Sequence, residues 1–155
     1  MGVSAESPYR KILYAGWGDM DFNAHMRNTA YLDKAGDVRM MFFAERGLPA
    51  ATFAARRFGP VVMKDELDYF REVGLLEEFQ VTLALAGQSE DGSRFLLRNE
   101  FFKADGKLAA RVTSLGGWLD LAERRLMVPP PDLLEAMRTL PRVPGFLDLP
   151  SSLKG

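Results

Sequence analysis

No cysteine occurs in this chain of 155 residues, and histidine occurs once. The first absence excludes disulfides, thiolate metal sites and cysteine nucleophiles together, and fits a reducing cytoplasm, the expected location. Neither sign of charge dominates: the formal net charge is −1. Nonspecific attraction to nucleic acid or to anionic lipid is therefore not expected, and neither is counted among its partners. Long apolar runs are missing too, none approaching the roughly 20 residues that cross a bilayer. Met1 to Arg10 has no apolar core of signal-peptide type, and Glu6 stands where a myristoylation signal after Met1-Gly2 needs Ser or Thr. What remains is 47% hydrophobic and 26% charged, enough for a real core in one globular domain. That domain is expected to span 1–155, with a core over about 9–140 and an extended tail over 141–155 held open by Pro141, Pro144 and Pro150.

The apolar pattern gives the elements. Tyr9 to Trp17 is rich in aromatic and branched residues and reads as a strand. Asn28 and Thr29 are suitable helix caps, and Ala30 to Arg46 then carries a helix. Its apolar positions Tyr31, Ala35, Val38, Met41 and Phe42 recur at spacings of three and four. Met40 and Phe43 widen that stripe until burial over most of the circumference is expected. Gly47 and Pro49 end it. A short helix anchored by Phe53 follows over Pro49 to Arg57. From Val61 the period becomes two, through Met63, Leu67 and Tyr69, then Phe79 to Leu85, then Phe95 to Phe101, then Leu108 to Val112 and on to Trp118. Asp91-Gly92 and Asp105-Gly106 mark turns between these runs. A last helix is expected over Leu133 to Leu140. The fold class is α+β: an antiparallel sheet of about five strands wrapped around one long central helix, its last four strands following one another as a meander. Such a unit leaves sheet edges open, so self-association is expected.

The scarce polar chemistry is concentrated in Asp19 to Asn28, immediately before the long helix. Here a carboxylate, amides and the one imidazole meet a helix N-terminus, whose unpaired N–H groups and dipole favour negative charge. That combination suits attack on an activated carbonyl and stabilisation of the resulting oxyanion. Plainer roles compete. Asp19 and Asn23 are natural Asx-turn residues, Asp21 is a natural capping carboxylate, and a lone histidine such as His25 is often structural. Asp19, Asp21 and His25 are also legitimate ligands for a divalent metal, but no companion cluster exists, and neither metal nor cofactor is expected.

Asp-x-Asp-x-x-Ala-His-x-x-Asn ahead of a helix, with Tyr31 three residues after Asn28, resembles the hotdog-fold thioesterases, specifically the 4-hydroxybenzoyl-CoA thioesterase-like acyl-CoA hydrolases. Leu67-Asp68-Tyr69-Phe70-Arg71 and Val128-Pro129-Pro130 extend the likeness downstream. The resemblance implies that Asp21 is the catalytic carboxylate, as nucleophile or general base, and that Asn28 gives its backbone N–H to the thioester oxygen. Asp21-Phe22-Asn23-Ala24-His25 is also similar to the Asp-x-Asn-x-His string of plant acyl-ACP thioesterases, which implies catalytic roles for Asn23 and His25. The further Glu or Cys of that family has no clear counterpart, Asp65 and Glu66 being the acidic residues considered. Tyr31, Tyr69 and Arg71 are expected to line the substrate site. Arg71 would meet CoA phosphates, with Lys64 or Arg56-Arg57 as further candidates. Met40 and Met41 would line an acyl tunnel, with plain packing as the alternative.

The expected activity is hydrolysis of an acyl-CoA, or of an acyl-ACP, in the setting of fatty acid metabolism. The family implies a pocket shared by two subunits, hence a homodimer or a homotetramer. Two other functions use the same fold: an enoyl-thioester hydratase or dehydratase, and a non-catalytic acyl-CoA binder.

Overall fold

The computed structural model describes residues 8–153, so the N-terminal targeting question and the last two residues of the tail lie outside it. In order the elements are β1 (Tyr9–Tyr14), α1 (Asn28–Glu45), α2 (Ala50–Arg56), β2 (Phe58–Tyr69), β3 (Glu78–Ser89), β4 (Arg94–Lys103), β5 (Leu108–Asp120), β6 (Arg125–Met127), α3 (Pro131–Arg138) and β7 (Arg142–Leu149). A single 3-10 turn at Trp17–Asp19 links β1 to the segment before α1.

Seven strands form one sheet, where about five were expected. The main path runs β1-β3-β4-β5-β2, all antiparallel. The two extra strands are β6, three residues paired with the end of β5, and β7, which joins β3 in parallel. Strand β3 has room for two partners along one edge: β1 covers its first half up to Leu83, and β7 takes over from Leu85 to Ser89. The tail is thus extended as expected, but it is part of the sheet. Pro144 and Gly145 mask it in the sequence, because proline reads as a strand breaker and is tolerated at an edge.

The expected meander holds for β3, β4 and β5 but not for β2, which pairs with β5 from Phe58↔Asp120 to Tyr69↔Ala110. The cause lies in residues 70–77. They leave the sheet and cross the start of α1, where the Met26 N–H donates to Val73 O at 2.7 Å and the Leu76 N–H to Ala15 O at 2.7 Å. Strand β3 therefore enters beside β1, and β2 remains on the far edge. Val62 and Met63 are exposed on that edge strand.

Helix α1 lies across the sheet with Tyr31, Ala35, Val38 and Phe42 buried. Burial over most of its circumference is not realised within one chain. Leu32, Gly36 and Met40, spaced by four, form a half-covered stripe, and Asp33 and Asp37 are exposed. One sheet layer covers one side of a helix; nothing among the described residues covers the Leu32–Gly36–Met40 stripe fully. At its far end, an aromatic cluster closes the core. Phe53 of α2 stacks on the fully buried Trp118 with ring planes 4° apart, and Phe43, Phe58 and Phe95 pack around the same indole. The Asp91-Gly92 turn demands its glycine. With φ at +78°, a Cβ there would also meet Leu134 Cδ1 at 2.5 Å under α3.

Candidate active site

The polar segment folds as a tight turn between two backbone anchors. Met20 and Met26 form an isolated β-bridge, and the Asp21 N–H donates to His25 O at 3.0 Å. Ala24 takes a left-handed conformation, φ +65°, to close the loop between them. Asp19 is structural: its Oδ2 accepts the Gly16 N–H at 2.7 Å and lies 3.0 Å from Lys34 Nζ. Partial burial alone would raise its carboxyl, but the Gly16 N–H and the Lys34 ammonium outweigh this and hold it below the ordinary carboxylate range.

Asp21 is turned the other way. Its Oδ1 accepts the Asn23 N–H at 2.8 Å, with the His25 N–H further off at 3.4 Å. Among the described residues its Oδ2 has no such donor, and it lies 3.7 Å from His25 Nδ1. The opposite ring nitrogen, Nε2, lies 3.8 Å from Glu72 Oε2, so the one imidazole stands between two carboxylates. Both separations exceed hydrogen-bond length, the looseness common in a catalytic constellation before substrate tightens it.

Helix α1 begins at Asn28, two residues earlier than its pattern suggests, with Arg27 in the cap position. Among the described residues no side chain caps it, and the N–H groups of Asn28 and Thr29 have no partner. Asn28 is therefore inside the first turn and contributes a free backbone donor in place of a capping side chain. Tyr69, at the end of β2, donates its hydroxyl to Asn28 O at 3.0 Å and ties that strand to the helix start. The Tyr31 ring meets Tyr69 edge-on at 5.4 Å. Burial, reinforced by the negative groups Glu77, Asp21 and Glu72, pushes the Tyr31 hydroxyl up to about 12, so it is neutral at physiological pH.

These groups share a cavity of about 350 Å³ lined by Asp21, His25, Asn28, Tyr31, Tyr69 and Arg71, six of the seven residues expected from sequence. The seventh, Asn23, is exposed at the tip of the turn and does not line it. Its contact with the site is the backbone N–H held by Asp21. Glu72, Met26 and Phe70 complete the wall and were not anticipated. Phe70 lay inside a quoted string without a role, and Glu72 directly follows it with no pattern of its own. Asp65 accepts a short hydrogen bond from Ser114 and does not line the cavity. Arg56 is held bidentately by Asp132, at 2.8 and 3.1 Å, and Lys64 lies 3.8 Å from Glu66; neither lines the cavity. Met40 and Met41 are half-buried on α1, outside the same wall. No helix among the described residues is long and apolar enough to cross a membrane.

Comparison with known proteins bears on the fold and the family. A Staphylococcus aureus protein solved in complex with CoA is similar over 90% of this chain and 89% of its own, at 20% identity and a TM-score of 0.78. A 1,4-dihydroxy-2-naphthoyl-CoA thioesterase from Synechocystis is similar over 85% and 96%, at 16% identity and a TM-score of 0.76. The DHNA-CoA thioesterase of Staphylococcus aureus gives 84% and 89%, at 16% identity and the same TM-score. At such identities the likeness is one of fold, and the α+β architecture with its long α1 is consistent with the hotdog arrangement. No curated protein matches by sequence. The sequence profile of the thioesterase-like superfamily, however, matches residues 15–137, from just after β1 through the turn, α1, α2, strands β2 to β6 and most of α3. The chain belongs to the thioesterase-like superfamily.

Proposed function

We propose that this protein hydrolyses an acyl-CoA to the free acid and CoA, with Asp21 as the reacting carboxylate. The observation that carries the reading is the pairing of an under-bonded Asp21 carboxylate with the free Asn28 N–H at the start of α1, both residues lining one cavity. The thioester carbonyl would sit with its oxygen toward the amide of Asn28, which holds the charge that develops there. In a nucleophilic route, an Asp21 oxygen bonds to the carbonyl carbon, the C–S bond breaks, and the thiolate leaves and takes up a proton. Water then cleaves the acyl–aspartyl anhydride and regenerates the carboxylate. In a general-base route, Asp21 takes a proton from a water that attacks the same carbon. His25, between Asp21 and Glu72, is suited to pass that proton to the departing sulfur. Asn23 acts through its backbone, steadying Asp21.

Arg71 is the cationic wall residue suited to the phosphates of CoA; an acyl carrier protein would present a single phosphate on the same arm. The open edge of β2 and the half-covered stripe Leu32, Gly36 and Met40 support a dimer. The deciding assay is release of free thiol from a panel of acyl-CoAs. Thiol release that disappears in Asp21→Ala supports hydrolysis; product without thiol would mean hydration, and wild-type turnover by Asp21→Ala would sink the assignment.

A further inference from the structure

Asp21 lines a second cavity as well. This one is about 450 Å³ and is walled by Trp17, Met20, Ala24 and Leu75. The two hollows differ in chemistry. The first holds Arg71, His25, Glu72 and two tyrosines. The second has no charged lining group except Asp21 itself, and its other walls are apolar. Trp17 is 84% exposed and Leu75 45% exposed, so large apolar surfaces are open to solvent in the wall that Asp21 shares.

Those walls are set by backbone bonds. The Trp17 turn is closed by the Asp19 N–H to Gly16 O at 3.0 Å, and Met20 is fixed by its bridge to Met26. The segment carrying Leu75 is fastened on both sides, by Met26 N–H to Val73 O and by Leu76 N–H to Ala15 O. An exposed indole beside a rigid apolar floor and next to a reactive group is what a binding site for an apolar moiety looks like.

A thioester substrate has two unlike halves joined at the carbonyl, and Asp21 is the one residue common to two unlike cavities. We infer that the polar cavity takes the pantetheine arm and the phosphates, and that the Trp17–Met20–Leu75 cavity takes the acyl group, which is apolar and carries no ionised substituent. The inference rests on the thioesterase reading and adds to it the direction in which the substrate lies. Charge decides it: phosphates require Arg71, and a carboxylate on the acyl tail would face Asp21 with no cation to neutralise it.

The test measures kcat/KM by thiol release for benzoyl-CoA, acetyl-CoA and S-benzoyl-N-acetylcysteamine, which lacks the nucleotide. Wild type is compared with Trp17→Ala, Leu75→Ser and Arg71→Ala. Because Trp17 is exposed, its variant keeps the core intact, which circular dichroism verifies. Trp17→Ala should lower the benzoyl-to-acetyl preference about tenfold and leave the CoA-to-cysteamine preference alone, with Leu75→Ser acting in the same direction more weakly. Arg71→Ala should do the converse. The orientation is overturned if Trp17→Ala alters discrimination between the two thiols, if it lowers both acyl-CoAs alike, or if it changes only the oligomeric state, which would make the groove a subunit contact. Absence of thiol release by wild type with every substrate would remove the thioesterase reading, and the orientation with it.

Discussion

Two aspartates at turns, Asp21 and Asp91, show how one side chain serves two ends. Asp91 closes the β3–β4 hairpin and is saturated. Its Oδ1 accepts from the Ser89 hydroxyl at 2.8 Å, the Ser93 N–H at 2.9 Å and the Ser93 hydroxyl at 2.7 Å, while its Oδ2 accepts from Ser151 at 2.6 Å. Partial burial would raise this carboxyl, but the three serines outweigh it and hold Asp91 far below the ordinary range. Asp21 has one good donor, on one oxygen, and a histidine at 3.7 Å from the other. A carboxylate with both oxygens engaged by four donors is a fastening. One left short of partners beside a helix N-terminus is available for chemistry.

Replacing each aspartate by its isostere gives the sharpest contrast. Asp21→Asn should lower kcat for acyl-CoA hydrolysis by about 10³-fold or more, equivalent to roughly 4 kcal/mol at the transition state, with the melting temperature nearly unchanged. Asp91→Asn should leave kcat near wild type and cost about 2–4 kcal/mol of stability, read from urea unfolding. The reverse pattern would break the distinction.

Acid extends the comparison. Asp91 is depressed in the folded state, so its stabilisation is fully present above the unfolded carboxylate range and is lost as pH falls below it toward the folded value. Asp91→Asn should therefore flatten part of the acid dependence of stability. Smaller effects are expected around the imidazole. His25→Gln should lower kcat by about 10–100-fold, as loss of a proton-transfer group does. Glu72→Gln, at an exposed carboxylate, should change kcat by only a few-fold and leave KM near wild type. An effect of Glu72→Gln confined to KM would remove it from the proton path and leave it a wall residue.

Much of this site was legible in the sequence because it is local. Asp21, His25 and Asn28 fall within one turn ahead of one helix, and the helical period fixed Tyr31 beside them. Asn23 shows the limit of that reading. Spacing identifies a turn but not which of its side chains faces inward, and here the turn directs residue 23 to solvent. Glu72 and Leu75 come from the segment that crosses the helix start, where no period operates, so their arrival next to Asp21 is a tertiary event. The same holds for β2: alternation identifies a strand and the buried face, but pairing with β5 in place of β3 depends on the path of residues 70–77. The helix start was misjudged because Asn28 and Thr29 are good caps in isolation, whereas here leaving those amides uncapped is what frees them for a ligand.

The parallel pairing of β7 has a practical corollary. Residues 85–89 of β3 keep their outward amides and carbonyls covered only because the last strand lies against them, with Ser151 pinned to Asp91 beyond it. Proteolytic trimming after α3 would strip that cover and leave a naked, apolar rim open to stacking with other molecules. A shortened protein should keep an intact Asp21 turn at the other end of the sheet and still be lost to aggregation.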